Sequence, residues 1–158
     1  TDGTVIYYVH EVPLRREPPM HNVPAGLSRE TAIWVPVNEL PMFGGYEPTA
    51  WQEKANQAFL ETALAGFPGD RETAAEHFAR AGWNHYYQDN KSTAIKRFNQ
   101  AWLLDPDNQH ALWGFAVISR ERGKADAALR FYRMALEAGP ADPRLTQEYE
   151  SLKRAAPH

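Results

Sequence analysis

Residues 75–108 read AEHFARAGWNHYYQDNKSTAIKRFNQAWLLDPDN, and residues 109–142 read QHALWGFAVISRERGKADAALRFYRMALEAGPAD. The two stretches agree at a spacing of 34 residues: Ala94, Ile95 and Phe98 are answered by Ala128, Leu129 and Tyr132. Ala101, Leu104 and Pro106 are answered in the same way by Ala135, Ala138 and Pro140. A fixed period of this length marks a unit of two helices that cannot bury its apolar face alone and must stack on copies of itself. Pro106 closes the first copy, because proline cannot continue a helix and restricts the residue before it.

Within the first copy, Ala81–Gly82 is a small pair that lets a neighbouring helix approach closely, and Ala94, Phe98 and Ala101 form a small–large–small stripe. The second copy carries Leu112, Phe115 and Ala116 on its first helix and Gly123 at the turn. This pattern resembles the tetratricopeptide repeat. Two positions depart from it: His85 and Ser119 stand where a tyrosine or another bulky residue is usual, and only two full repeats are recognisable. The resemblance implies an all-α helical solenoid that binds other proteins. FNQAWLLDPDN followed by LWGF, with PMFGG ahead of the first helix, is further similar to small bacterial proteins of this family, often exported.

Composition bounds the chain more coarsely. A length of 158 residues fits one domain with room for a core, and a hydrophobic fraction of 43% is ordinary. No apolar run approaches the ~18–20 residues of a membrane span. The net charge of −3 comes entirely from residues 1–48, which hold 3 basic and 6 acidic side chains, whereas residues 49–158 hold 14 of each. Phosphate binding needs clustered Lys and Arg, so nucleic acid is set aside as a partner. The chain has no cysteine, which excludes disulfides, thiolate metal sites and a cysteine nucleophile. It begins at Thr1 and reads as a trimmed form, in which a processed envelope lipoprotein and a cytoplasmic chain look alike.

Seven of the 12 prolines fall in residues 1–48. There, Thr4–Val12 and Thr31–Val37 are β-branched and aromatic runs that read as short strands, the second demoted to an edge by Pro36. Three readings of this Pro-rich N-terminal extension stand side by side. It is a strap along the helices, an edge that pairs with another chain through Ile6, Tyr8 and Trp34, or a tether. Residues 49–158 are expected to be helical throughout. A flanking helix over 50–65 starts at a Thr49–Gln52 capping box and covers the open face of the first repeat. A capping helix over 143–155 follows Asp142–Pro143, with Leu145, Tyr149 and Leu152 as its apolar stripe and Gln147, Glu148, Glu150, Lys153 and Arg154 on its solvent side.

In proteins of the resembled family the first helix of each repeat lines the concave groove. That projection takes Glu76, Ala79, Trp83, Tyr86 and Tyr87 from the first copy, and His110, Trp113, Val117, Arg120 and Glu121 from the second. Trp83, Tyr86, Tyr87, His110, Trp113 and Arg120 are therefore the expected partner-binding residues. Trp83, Tyr87 and Trp113 are the expected anchors, because aromatic side chains supply contact area for little entropy lost. The alternative is that the flanking helix or the strap covers Trp83 and Trp113. Lys96 and Arg130 are expected on the surface, outside the groove. Ala79, Trp83 and Gly114 stand where the family's carboxylate clamp needs polar or basic side chains, so the C-terminal tail of a heat-shock chaperone is not the expected partner.

Catalysis has little support. The histidines at 10, 21, 77, 85, 110 and 158 show no HExxH spacing, no GxSxG elbow exists, and Gly44–Gly45 is no phosphate loop. Asp105–Asn108 is the turn between copies and lacks the glycine and glutamate of a calcium loop. No cofactor and no metal are expected. The reading is a non-catalytic interaction module (adaptor, scaffold or assembly factor) that binds a protein or peptide partner. The alternative is a dedicated inhibitor, immunity protein or chaperone of a toxin or secreted enzyme.

Overall fold

The computed structural model describes residues 36–156. The strand reading of Thr4–Val12, most of that of Thr31–Val37, and His10, His21 and His158 lie outside the described residues. Pro36 and Val37 lie inside them and are not in a strand. Six α-helices follow in order: α1 Ala50–Gly66, α2 Arg71–Tyr87, α3 Lys91–Leu104, α4 Gln109–Glu121, α5 Ala125–Ala138 and α6 Pro143–Ala155. No strand occurs among the described residues, and the fold is an all-α helical repeat.

Five of the six helices begin where a side chain satisfies their first free N–H groups, and α5, which follows Lys124, starts without such a cap. Thr49 and Gln52 form the expected capping box at 3.2 and 2.8 Å. Asn90 and Asn108 accept from Thr93 and Ala111, and Asp142 accepts from Arg144 and Leu145 just before Pro143. The first copy starts earlier than its sequence frame suggests. Asp70 accepts from the Thr73 backbone and hydroxyl at 2.9 and 2.5 Å, which adds a turn to α2 ahead of residue 75. That turn is retained because Ala74 and Ala75 are fully buried.

Helix α2 packs on α3 and α4 on α5, while α3 and α4 join the two pairs. The aligned positions are the core: Ala94, Phe98, Ala101, Ala128, Tyr132 and Ala135 are all inaccessible. The two pairs are also locked at their ends. Arg71 donates to the carbonyl of Leu104 at 3.0 Å, and Gln109 to those of Ala135 and Pro140 at 2.9 and 3.0 Å. Both satisfy carbonyls at or just beyond the end of a second helix, which has no partners of its own for them.

Helix α1 covers only part of the face expected of it. Phe59 and Ala63 are buried, with Phe59 edge-on to Phe78 at 5.2 Å, whereas Trp51 remains exposed. Its first half stands off across a slot bounded by Met42, Phe43, Trp102 and Leu103. Residues 36–46 form a strap on α3, with short 3-10 turns at Val37–Glu39 and Pro41–Gly45. Asn99, fully buried, donates to the carbonyls of Asn38 and Leu40 at 3.0 and 2.9 Å. Glu39 takes Lys96 at 3.3 Å and the Ser92 hydroxyl at 2.6 Å. Lys96 is thus 8% exposed rather than a surface residue, because the strap lies over it.

Candidate functional site

The first helices α2 and α4, with α6 beside them, line a groove of about 340 Å³. Its wall contains Trp83, Tyr86, Tyr87, His110, Trp113 and Arg120, so the six residues that the family resemblance projects into a groove line one concavity. The described part of the strap lies against α3, and α1 packs on α2 and α3; neither is among the residues lining this groove.

The aromatic side of the groove is built from α2. Trp83 donates its indole N–H to the carbonyl of His110 at 3.0 Å, which fixes the ring against the next repeat. Around it stand Tyr86 at 5.3 Å, Tyr87 at 5.8 Å, Phe98 at 5.4 Å and Trp113 at 6.1 Å between ring centroids. Tyr86, Phe98 and Trp113 meet Trp83 edge-to-face, and Tyr87 lies tilted against it at 32°. Tyr87 is 69% exposed and reaches furthest into solvent. Tyr86 donates to Glu121 at 2.6 Å, and Glu121 also faces Lys91 at 3.2 Å. Burial, aided by that carboxylate, pushes the Tyr86 phenol up to about 12.

The polar side is built from α4 and α6 around one carboxylate. Glu148 accepts from the indole N–H of Trp113 at 2.9 Å and from the Tyr132 hydroxyl at 3.0 Å. Arg120 lies 3.8 Å from the same carboxylate and 6.0 Å over the Tyr132 ring. Burial and the negative charge of Glu148 raise the Tyr132 phenol above its ordinary value. The Arg144 guanidinium sits 5.8 Å over the Trp113 ring. At the near end His110 meets Glu76 at 2.8 Å, two positions that are one repeat apart.

Two assignments change. Trp113 is only 8% exposed, so it serves as floor and leaves Trp83 and Tyr87 as the reachable aromatic surface. Glu148 was expected on the solvent side of α6 but turns inward, because two buried donors on α4 and α5 converge on it. Arg144 also lines the groove. The repeat spacing carries its signal, since Arg144 stands 34 residues after His110; α6 occupies the place of a further first helix.

At the three clamp positions, Ala79 is fully buried, Trp83 is an aromatic wall and Gly114 lies under the Phe98 ring. Among the described residues, no group of three His, Asp or Glu side chains is placed to hold a metal ion. No helix there is long and apolar enough to cross a membrane. His77 lies tilted against Phe67 at 5.3 Å and edge-on to Phe78 at 5.2 Å, and it is not among the residues lining the groove.

Residues 88–147, spanning α3 to the start of α6, match the family model described as tetratricopeptide repeat. No curated protein matches the chain.

Proposed function

We propose that this chain, whose residues 88–147 match the tetratricopeptide repeat, is a non-catalytic module that binds a partner protein through its concave groove. Repeats of this family generally mediate protein–protein contacts, and the particular geometry adds a surface suited to a peptide. The observation that carries the reading is the pairing of Trp83 and Tyr87 with Arg120 and Arg144 across one groove. Rigid aromatic side chains supply contact area at low entropic cost, while guanidinium groups orient polar atoms of a bound chain. The role is that of an adaptor, scaffold or assembly factor, in which the bound segment is held rather than altered.

The test is affinity capture from native extract with the full chain and with Tyr87→Ala, a variant that leaves the core untouched. A partner retained by the wild type and lost by Tyr87→Ala supports the groove. The same proteins captured equally by Tyr87→Ala and by Arg144→Glu would place binding elsewhere.

A further inference from the structure

The strap on α3 has a counterpart one repeat further on that no other described segment covers. A step of 34 residues carries Lys96 and Asn99, which hold the strap, onto Arg130 and Arg133, and carries Arg97 and Gln100 onto Phe131 and Met134. On α3 the grip is complete: Lys96 meets Glu39 at 3.3 Å and Asn99 donates to two strap carbonyls. On α5 the equivalent cation, Arg130, is exposed and lies 5.8 Å over the Phe131 ring, with no carboxylate in ion-pair reach among the described residues.

A cleft of about 390 Å³ opens at this place. Leu40 and Met42 of the strap form one wall, and Ala127, Phe131 and Met134 of α5 form the other. Arg122, Lys124 and Arg130 rim it, and no carboxylate lines it among the described residues. Arg122 donates to the Glu39 carbonyl at 2.9 Å, whereas among the described residues neither Lys124 nor Arg130 meets a carboxylate.

We propose that this outer face of α5 is a second docking site, which takes from a partner protein an extended segment of the same chemistry as residues 37–43. That chemistry is a carboxylate set between apolar side chains, as Glu39 stands between Val37 and Leu40. The charge of the rim selects the carboxylate, and the apolar walls select its neighbours. Arg130 takes the part Lys96 plays for Glu39, with a fork that can engage a carboxylate through two N–H groups. The slot between strap and helix suits a single extended chain better than a bilayer, which would meet a flat basic surface. This site is separate from the concave groove and stands whether or not that groove binds.

The chain's own strap supplies the probe. A synthetic peptide with the sequence of residues 36–46, PVNELPMFGGY, titrated into the ¹⁵N-labelled full chain, is expected to shift the amides of Ala127, Arg130, Phe131 and Met134 in a saturable way. Arg130→Glu, and separately Glu39→Lys within the peptide, should each weaken binding at least tenfold, while Tyr87→Ala leaves it unchanged. Lys124→Glu gives a second readout should Arg130→Glu disturb folding by circular dichroism. Absence of shifts at millimolar peptide overturns the proposal, as does binding indifferent to these charges. Shifts confined to the side-chain amide of Asn99 would mean that the peptide only displaces the strap, and overturn it too. Co-sedimentation with phosphatidylglycerol–phosphatidylcholine vesicles, lost in Arg130→Glu and without peptide binding, would make the face a lipid site instead.

Discussion

The ring of Phe98 rests directly on the backbone of Gly114, so close that a Cβ on Gly114 would come within 2.4 Å of it. The same ring is pinned from the other side by Gly82, where a Cβ would come within 2.5 Å. Phe98 thereby ties α3 to its own first helix and to that of the next repeat, and it is fully buried with no direction in which to retreat. Gly114→Ala should therefore destabilise the chain. Overpacking costs ~1–3 kcal/mol, and the better helix propensity of alanine returns at most about 1 kcal/mol. Gly66→Ala is the contrast, since nothing lies within 4 Å of a Cβ there. Urea unfolding should show a net loss for Gly114→Ala and none for Gly66→Ala. Equal midpoints for the two would mean that the wedge is not as tight as described.

The buried amide of Asn99 predicts how firmly the strap is held. Its two hydrogen bonds end on carbonyls of residues 38 and 40, which are left without these donors in Asn99→Ala. A buried polar group that loses its partner costs ~1–3 kcal/mol. The loss should be local. Hydrogen exchange of the Leu40 and Phe43 amides, which close the strap turns onto Val37 and Leu40, should accelerate. Amides of α4 and α5 should keep their protection. Unchanged exchange at Leu40 and Phe43 would show that Glu39 and the apolar contacts suffice.

Much of this fold was legible because the repeat writes each core position twice. Ala94 with Ala128, and Phe98 with Tyr132, fix the buried helix faces, and the family resemblance added which of the remaining faces lines a groove. What the spacing could not show is competition for a polar atom. Glu148 sits among polar neighbours in sequence, and only the three-dimensional convergence of Trp113 and Tyr132 turns it inward. Lys96 misled for a related reason: a lysine on a helix face is ordinarily solvated, and here residues far away in sequence cover it. Likewise the extra turn of α2 depends on Asp70 and the burial of Ala74, positions that the second repeat does not mirror.

The Tyr86 phenol carries a pH signature that belongs to the groove. Its pKa is pushed up to about 12, first by burial and then by its hydrogen bond to Glu121. The folded value exceeds the ordinary phenol value near 10, so the fold favours the neutral form. Its contribution to stability is therefore fully present below about pH 10 and is lost as pH rises toward 12. Absorbance at 295 nm, taken as the difference between the chain and Tyr86→Phe, isolates this phenol from the other tyrosines. Glu121→Gln should lower the midpoint, because the negative charge that opposes ionisation is removed, while burial keeps it above the ordinary value. The stability advantage of the chain over Tyr86→Phe should shrink between pH 10 and 12. A midpoint near 10 in the wild-type chain, indifferent to Glu121, would show that Tyr86 is solvated and that the aromatic wall of the groove is looser than its hydrogen bonds suggest.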